Sequence, residues 1–307
     1  GRAPRCSDCS FVNRAAGTAD EDSVRAAVRE LRRGAEVTVA ETADREALTA
    51  AVAGRDGPRL VIAGGDGSVH AAVEALTAPR HCIPASLSAS VRTAPATTWP
   101  VPSGCRWTPS RQRPRCSPGH RAPSDLLRDD DGGLALNAVH VGIGARAYAE
   151  ATRFENWMRT AAFPLGAAVA GVTTTAWNLR VEIDGRVAAH GGGDWAADGD
   201  TAILMVAVCN GPTIAGGTPL APDARLDDGL ADVVLSTATG PLAHAAFATS
   251  LLTGRHVDRA DVLIAQAREV TFSEPVLQPD ADGELQPAVA TRTWRVEQHA
   301  WSVIAPS

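Results

Sequence analysis

The sequence predicts an α/β plus β protein: a parallel α/β domain over residues 1–127, with 295–307 a candidate to return to it, and a β-rich domain over 128–294. Three observations carry that expectation. The first third alternates short apolar, β-branched runs with Ala-rich segments of helical spacing, the pattern of parallel strands covered by helices. At its centre, Leu60-Val61-Ile62-Ala63 stops on Gly64-Gly65-Asp66-Gly67, and the Ala-rich segment Ala71-Ala72-Val73-Glu74-Ala75-Leu76 follows with helical spacing. The second half is a series of short apolar runs punctuated by glycine and aspartate turns.

Taken in order, Phe11-Val12-Asn13 reads as the end of a first strand. Arg2, Arg5, Cys6, Asp8 and Cys9 make residues 1–10 a poor start for a buried one. Residues 20–33 repeat apolar side chains at Val24, Ala27, Val28 and Leu31, with acidic residues in the first turn where they favour the helix dipole. A short strand over 36–40 leads to Thr42, and a second helix over 43–53 opens with acidic Asp44. The glycines after the third strand let the backbone approach a ligand closely, and the following helix N-terminus offers unpaired N–H groups to phosphate. A ligand-free turn would also use glycines there. Asp66 argues for a site, because a carboxylate beside a phosphate repels it unless it orients a metal, a hydroxyl or a ribose. The first domain is therefore read as nucleotide-binding.

The second half begins at Asp125-Leu126-Leu127. Residues 134–144 alternate and end on Gly142 and Gly144, and 153–176 read as mainly helical with interruptions at Pro164 and Gly166. Residues 180–183 and 186–189 flank Asp184-Gly185 as a hairpin. Residues 201–209 form a buried strand ending at Asn210-Gly211, 242–252 an amphipathic helix closed by Gly254-Arg255-His256, and 269–272 a strand. Asp280-Ala281-Asp282-Gly283-Glu284 is an acidic turn, followed by closing strands at 294–296 and 301–304.

Composition excludes several classes. A net charge of −6 with no basic stripe speaks against nucleic acid. The six cysteines (Cys6, Cys9, Cys82, Cys105, Cys116 and Cys209) have neither zinc spacing nor the density of a small disulfide framework. No leader is visible, and the apolar run 161–177 is broken by Pro164 and two glycines. A cytoplasmic protein that touches membrane only peripherally is expected. Residues 77–123 stand apart: nine of the 20 prolines, three of the six cysteines and seven arginines fall there, and no acidic residue lies between Glu74 and Asp125.

The Gly64-Gly65-Asp66-Gly67-Ser68 turn resembles the GGDGT signature of the diacylglycerol and sphingosine kinase-like lipid kinases. Asn13-Arg14-Ala15-Ala16-Gly17 resembles their first nucleotide-contacting turn, with Arg14 in place of proline. Gly216-Gly217, Ala221-Pro222, Ala224, Asp227-Asp228-Gly229-Leu230 and Asp232-Val233 resemble their second signature nearly end to end, and Asn137 with Gly142 and Gly144 a further one. The resemblance implies a β-sandwich-like C-terminal domain and transfer of the γ-phosphoryl group of ATP to the hydroxyl of a diacylglycerol-like or sphingoid lipid. It implies nucleotide contacts from Asn13, Arg14, Ala15, Ala16, Gly17, Thr42, Gly64, Gly65, Asp66, Gly67, Ser68, Val69 and His70. Asp66 would act through magnesium or the acceptor hydroxyl, and Glu284 of the Asp-Gly-Glu turn would be the general base. A structural Mg2+ would take the Asp228 carboxylate with the Arg225 and Leu230 carbonyls, oxygen ligands that suit a hard cation. The partners implied are nucleotide, lipid and a membrane surface; oligomeric state is not legible, and a homodimer stays open.

The relatives carry a second glycine loop, typically GTGNDLAR, where this chain has residues 77–123. If Ala94-Pro95-Ala96-Thr97-Thr98-Trp99-Pro100 is encoded GCA CCG GCA ACG ACC TGG CCC, a start one base earlier reads Gly-Thr-Gly-Asn-Asp-Leu-Ala. Trp99 and Trp107 each admit one codon, which forces Ala and Asp in that frame. Residues 77–123 are therefore read as a shifted-frame segment, and 1–10 as a second candidate for one. Without that loop the alternative is a catalytically impaired remnant that binds nucleotide or lipid. An NAD kinase would share the glycine turn but not the 216–232 pattern.

Overall fold

The computed structural model describes residues 6–14, 21–33, 35–55, 59–77, 86–91, 120–142, 177–189, 196–214 and 217–305. The chain divides into two compact units, residues 1–124 with 299–307 and residues 125–298.

In the first unit, strands and helices alternate as β1 (Cys6–Arg14), α1 (Glu21–Leu31), β2 (Ala35–Thr42), α2 (Arg45–Ala53), β3 (Arg59–Ala63), α3 (Asp66–Thr77) and β4 (Ser86–Val91). The strands run parallel in the order β2-β1-β3-β4, and the end of the last strand of the chain joins β4 in parallel at Ser302 and Val303. Parallel strands covered on both faces read as continuous apolar runs. In β3 Leu60, Val61, Ile62 and Ala63 are all buried, with Val61 and Ala63 packing with Val24, Ala27 and Val28 of α1. Asp44 caps α2 by accepting from the Ala47 N–H at 2.8 Å, and the Arg45–Glu74 ion pair, also 2.8 Å, ties α2 to α3.

Two expectations are corrected here. Cys6–Ser10 belongs to β1, pairing with β2 and β3, so the polar start of the chain is strand nonetheless. β2 pairs with it from Cys6 and β3 joins from Cys9, so its backbone is drawn into the sheet whatever its side chains prefer. The third helix begins at Asp66, taking Gly67 to His70 into its first turns, so the loop proper is only Gly64-Gly65.

The second unit is antiparallel. Its strands are the second half of β5 (His120–Asp129), then β6 (Leu134–Ala135), β7 (Ala138–Gly142), β8 (Trp177–Ile183), β9 (Arg186–Val187), β10 (Asp198–Ile203), β11 (Met205–Cys209), β12 (Thr213–Ile214), β13 (Thr218–Pro219) and β14 (Ala231–Ser236). Helix α4 (Pro241–Leu252) follows, then β15 (Val262–Ala267), β16 (Glu269–Leu277), β17 (Asp280–Ala281), β18 (Glu284–Leu285) and β19 (Val289–Ala305), whose residues 299–305 belong to the first unit.

One sheet orders β10-β8-β16-β19; the other orders β15-β14-β11-β7-β17-β18. Val206 and Val208 join Val181, Phe272 and Trp294 in the core between the sheets, while Met205, Ala207 and Cys209 pack on the opposite side with Phe247 of α4. A sheet covered on both faces explains why β7 is buried throughout rather than alternating as its sequence suggested. The run expected as one strand over 201–209 is two, broken at Leu204, whereas the two closing strands are one. The Asp184-Gly185 hairpin is present, with φ of 47° and 76°. The expected helix over 153–176 lies outside the described residues.

After α4, a 3-10 turn at Arg255–Asp258 buries His256, whose Nε2–H donates to the Leu220 carbonyl at 2.7 Å and whose ring meets Phe247 edge-on. Its buried Nδ1 has no partner, so a second proton there would go unsatisfied. Burial, ahead of the opposing pull of Leu220 and Asp258, pushes the imidazole below its ordinary value. With the folded value depressed, the unfolded chain takes up the proton first. Stability is therefore full above about pH 6.5 and falls as pH drops through the window below it. His256→Gln is expected to flatten that acid-side loss in thermal melts.

Candidate active site

Of the expected nucleotide residues, the first unit gathers the described ones at one edge. Register places Asn13 beside Glu41 and Ala63, and Arg14 beside the buried Thr42, so β1, β2 and β3 all end there. With the order β2-β1-β3, the chain reverses its winding between β1 and β3, and open α/β sheets bind ligands outside the carboxyl ends of strands at such a point. Gly64-Gly65 leave β3 at this place and α3 starts immediately.

The three glycines of the turn are not equivalent. A Cβ on the buried Gly64 would lie 2.5 Å from Ser68 Oγ and 2.7 Å from Ser68 Cβ, so only glycine lets strand and helix come this close. A Cβ on Gly65 or Gly67 would meet nothing within 4 Å among the described residues, so there the turn faces open space. The Gly65 carbonyl accepts from the amides of Ser68 (3.0 Å) and Val69 (3.3 Å), which commits those two to the helix. Phosphate contacts would fall to the backbone of 65–67, at the positive end of the helix dipole. Ser68 and Val69 are buried and His70 half-buried. Ala15, Ala16 and Gly17 lie outside the described residues.

In the second unit, Arg225, Asp228 and Leu230 share one turn. Asp228 Oδ1 accepts from the Leu230 amide at 3.0 Å, and Arg225 pairs with Asp227 at 3.3 Å. Asp232, the second residue of β14, is buried, with an Oδ2 that has no hydrogen-bond partner among the described residues. Burial first, then the charge of Asp228 with Asp223 adding to it, pushes the Asp232 carboxyl up to about 6, against a lowering hydrogen bond from Gln266. Mutually repelling carboxylates around an orphaned oxygen are a setting that a divalent cation relieves. Among the described residues, no three His, Cys, Asp or Glu side chains cluster as a metal site.

Glu284 is exposed on β18, in a hairpin whose two turn residues, Asp282 and Gly283, have φ of 53° and 90°. Asp280 Oδ1 accepts from the Gly283 amide at 2.8 Å and lies 3.7 Å from His140 Nδ1. Burial, outweighing the lowering effects of His140 and the Gly283 amide, raises the Asp280 carboxyl.

Two residues that sequence reasoning passed over hold these turns. Asp125 Oδ2 accepts from the Gly229 amide at 2.7 Å, and its own amide donates to the Leu226 carbonyl at 2.7 Å. Asn210 Nδ2 donates to the carbonyls of Asp125 (3.0 Å) and Leu136 (2.7 Å). The available signal was a carboxylate opening the apolar run Asp125-Leu126-Leu127 and an amide closing a buried strand; both are polar groups that burial obliges to find partners. Cys209 is a free, buried thiol, raised by desolvation and then by Asp232.

Comparison with known proteins gives the same architecture. Residues 9–89 match the diacylglycerol kinase catalytic domain and residues 137–305 the YegS C-terminal NAD kinase beta sandwich-like domain. The first match runs into the compositionally odd segment, where Ser86–Val91 is a strand of the parallel sheet. Of the 77–123 segment read as shifted-frame, residues 78–85 and 92–119 lie outside the described residues. Two solved structures of candidate diacylglycerol kinases from Bacillus anthracis str. Sterne share the fold, at 17% and 16% identity, with TM-scores of 0.69 and 0.70 and 97% of each chain covered. A diacylglycerol kinase structure from the same organism gives 15% identity and a TM-score of 0.64, over 97% of this chain and 96% of that one. No curated protein matches the sequence. With a diacylglycerol kinase catalytic domain followed by a YegS C-terminal domain over more than half its length, the chain belongs to the diacylglycerol kinase and YegS-like family of lipid kinases.

Proposed function

We propose that this lipid kinase transfers the γ-phosphoryl group of ATP to the hydroxyl of a diacylglycerol-like or sphingoid lipid. The observation that carries the nucleotide half is the Gly64–Ser68 turn: it is held tight at Gly64 and open over Gly65 and Gly67, where the parallel sheet reverses. Phosphoryl transfer asks mainly for positioning and charge stabilisation. The amides of 65–67 hold phosphate oxygens, with Asn13, Arg14, Ala15, Ala16, Gly17 and Thr42 toward the nucleotide. Asp66 acts through magnesium or the acceptor hydroxyl, and Glu284 takes the hydroxyl proton as its oxygen attacks the γ-phosphorus and ADP leaves. A lipid acceptor implies peripheral contact with a membrane. Among the described residues no helix is long and apolar enough to cross one.

The turn at 225–230 suits Mg2+, held by the Asp228 carboxylate and the Arg225 and Leu230 carbonyls. Once bound, the ion supplies positive charge to a carboxylate-rich turn. Millimolar Mg2+ is expected to raise the melting temperature of the wild type and to leave that of Asp228→Asn unchanged, since an ion binding only the folded state stabilises by mass action.

The test is incubation with γ-labelled ATP, Mg2+ and vesicles carrying diacylglycerol or sphingosine, with NAD as a competing acceptor. Label in the lipid and not in NAD supports the proposal. Label in NAD overturns it, and no transfer together with no ATP binding favours the remnant.

A further inference from the structure

We propose that Asp282 is a positioning residue: its carboxylate, gripped by three consecutive backbone amides, fixes the hairpin tip that presents Glu284. This rests on the reading of Glu284 as the base. Asp282 Oδ2 accepts from the Leu136 amide at 2.6 Å, and Oδ1 accepts from the amides of Asn137 (2.9 Å) and Ala138 (3.1 Å). Its own amide donates to the Ala138 carbonyl at 3.0 Å, so donor and acceptor traffic runs both ways between two segments more than a hundred residues apart in sequence. Successive amides converging on one anion form a nest, and charge-assisted bonds are the strong kind.

The hairpin needs such an anchor. β17 and β18 are two residues each, paired only as Asp280 with Leu285 and Ala281 with Glu284, and a ribbon that short has no stability of its own. β17 is joined to β7 at His140 and Val139, while β18 is the last strand of its sheet. The position of Glu284 is therefore set through the turn, which Asp280 closes from within by accepting from the Gly283 amide and Asp282 ties to residues 136–138. The left-handed φ of 53° suits an aspartate, which tolerates that region better than most residues. Both carboxylate oxygens face main-chain donors, so the exposed Glu284, not Asp282, is the carboxylate presented to an acceptor hydroxyl.

Asp282→Gly removes the carboxylate while keeping the left-handed turn accessible; Asp282→Asn keeps one acceptor oxygen. Amide hydrogen exchange at residues 136–138 and steady-state lipid phosphorylation are measured for both. Protection at 136–138 is expected to fall in the order wild type, Asn, Gly. The kcat should fall in the same order, by about a hundredfold for Gly, because a misplacement of about 1 Å carries that penalty. KM for ATP should hold, and the acid limb of the pH–rate profile should stay in place because the base is unchanged. Wild-type exchange at 136–138 in Asp282→Gly overturns the proposal, as does loss of the acid limb with protection intact, which would make Asp282 the proton acceptor. Failure of the Glu284 reading shows separately, as full activity in Glu284→Gln, whatever the exchange at 136–138.

Discussion

Glu284→Gln is expected to lower lipid phosphorylation by about a hundred- to ten-thousand-fold, the range that general-base groups contribute. ATP affinity and melting temperature should remain at wild-type values. Glu284 is exposed, so the amide replaces the carboxylate without opening a cavity or stranding a charge in the core. The hairpin beneath it is held by backbone hydrogen bonds to Asp282 and Asp280, which the substitution leaves in place while removing the like charge that Glu284 sets beside Asp280. The loss should therefore appear in kcat. Single-turnover kinetics with labelled ATP, paired with calorimetric binding, check it. A variant that turns over at the wild-type rate would remove Glu284 from the chemistry, and one that melts early would make its role structural.

Gly64→Ala should give the other large effect, through fold and ligand together. The new methyl would stand 2.7 Å from Ser68 Cβ, an atom fixed to the helix backbone that no rotamer change can move aside. Either α3 backs away from β3 or the turn reshapes, and overpacking of this kind costs about 1–3 kcal/mol. Because the helix N-terminus is displaced, ATP affinity should fall as well, by roughly tenfold to a hundredfold for a shift near 1 Å. Gly65→Ala separates the two effects. Among the described residues its methyl meets no atom within 4 Å beyond its chain neighbours, so its melting temperature should match the wild type while its ATP affinity drops if phosphate occupies that space. Denaturation curves and ATP titrations of both variants check this. Unchanged ATP binding in Gly65→Ala would reduce the turn to a ligand-free link between strand and helix.

Much of the architecture was legible from local chemistry. The helices at Glu21–Leu31 and Arg45–Ala53 announced themselves by period and by Asp44, the hairpin at Asp184-Gly185 by its turn residues, and β3 by an apolar run stopping on glycine. Cys6–Ser10 misled because strand pairing, with β2 from Cys6 and with β3 from Cys9, overrode its composition. β7 misled because helix and loops cover the far face of its sheet, so no polar alternation was needed.

The residues that hold the candidate site together were of another kind. Asp125 reaches Gly229, Asn210 reaches Leu136, and Asp282 reaches the amides of 136–138, each across a long stretch of chain. Periodicity and turn chemistry report on neighbours within a few residues, and they sufficed to name the elements, the glycine turn and the acidic hairpin. Which carboxylate would be consumed by backbone amides and which would stay exposed depended on segments that meet only after the sheets have paired. Only the tertiary structure decided that, because a buried polar group takes whichever partner the fold brings to it.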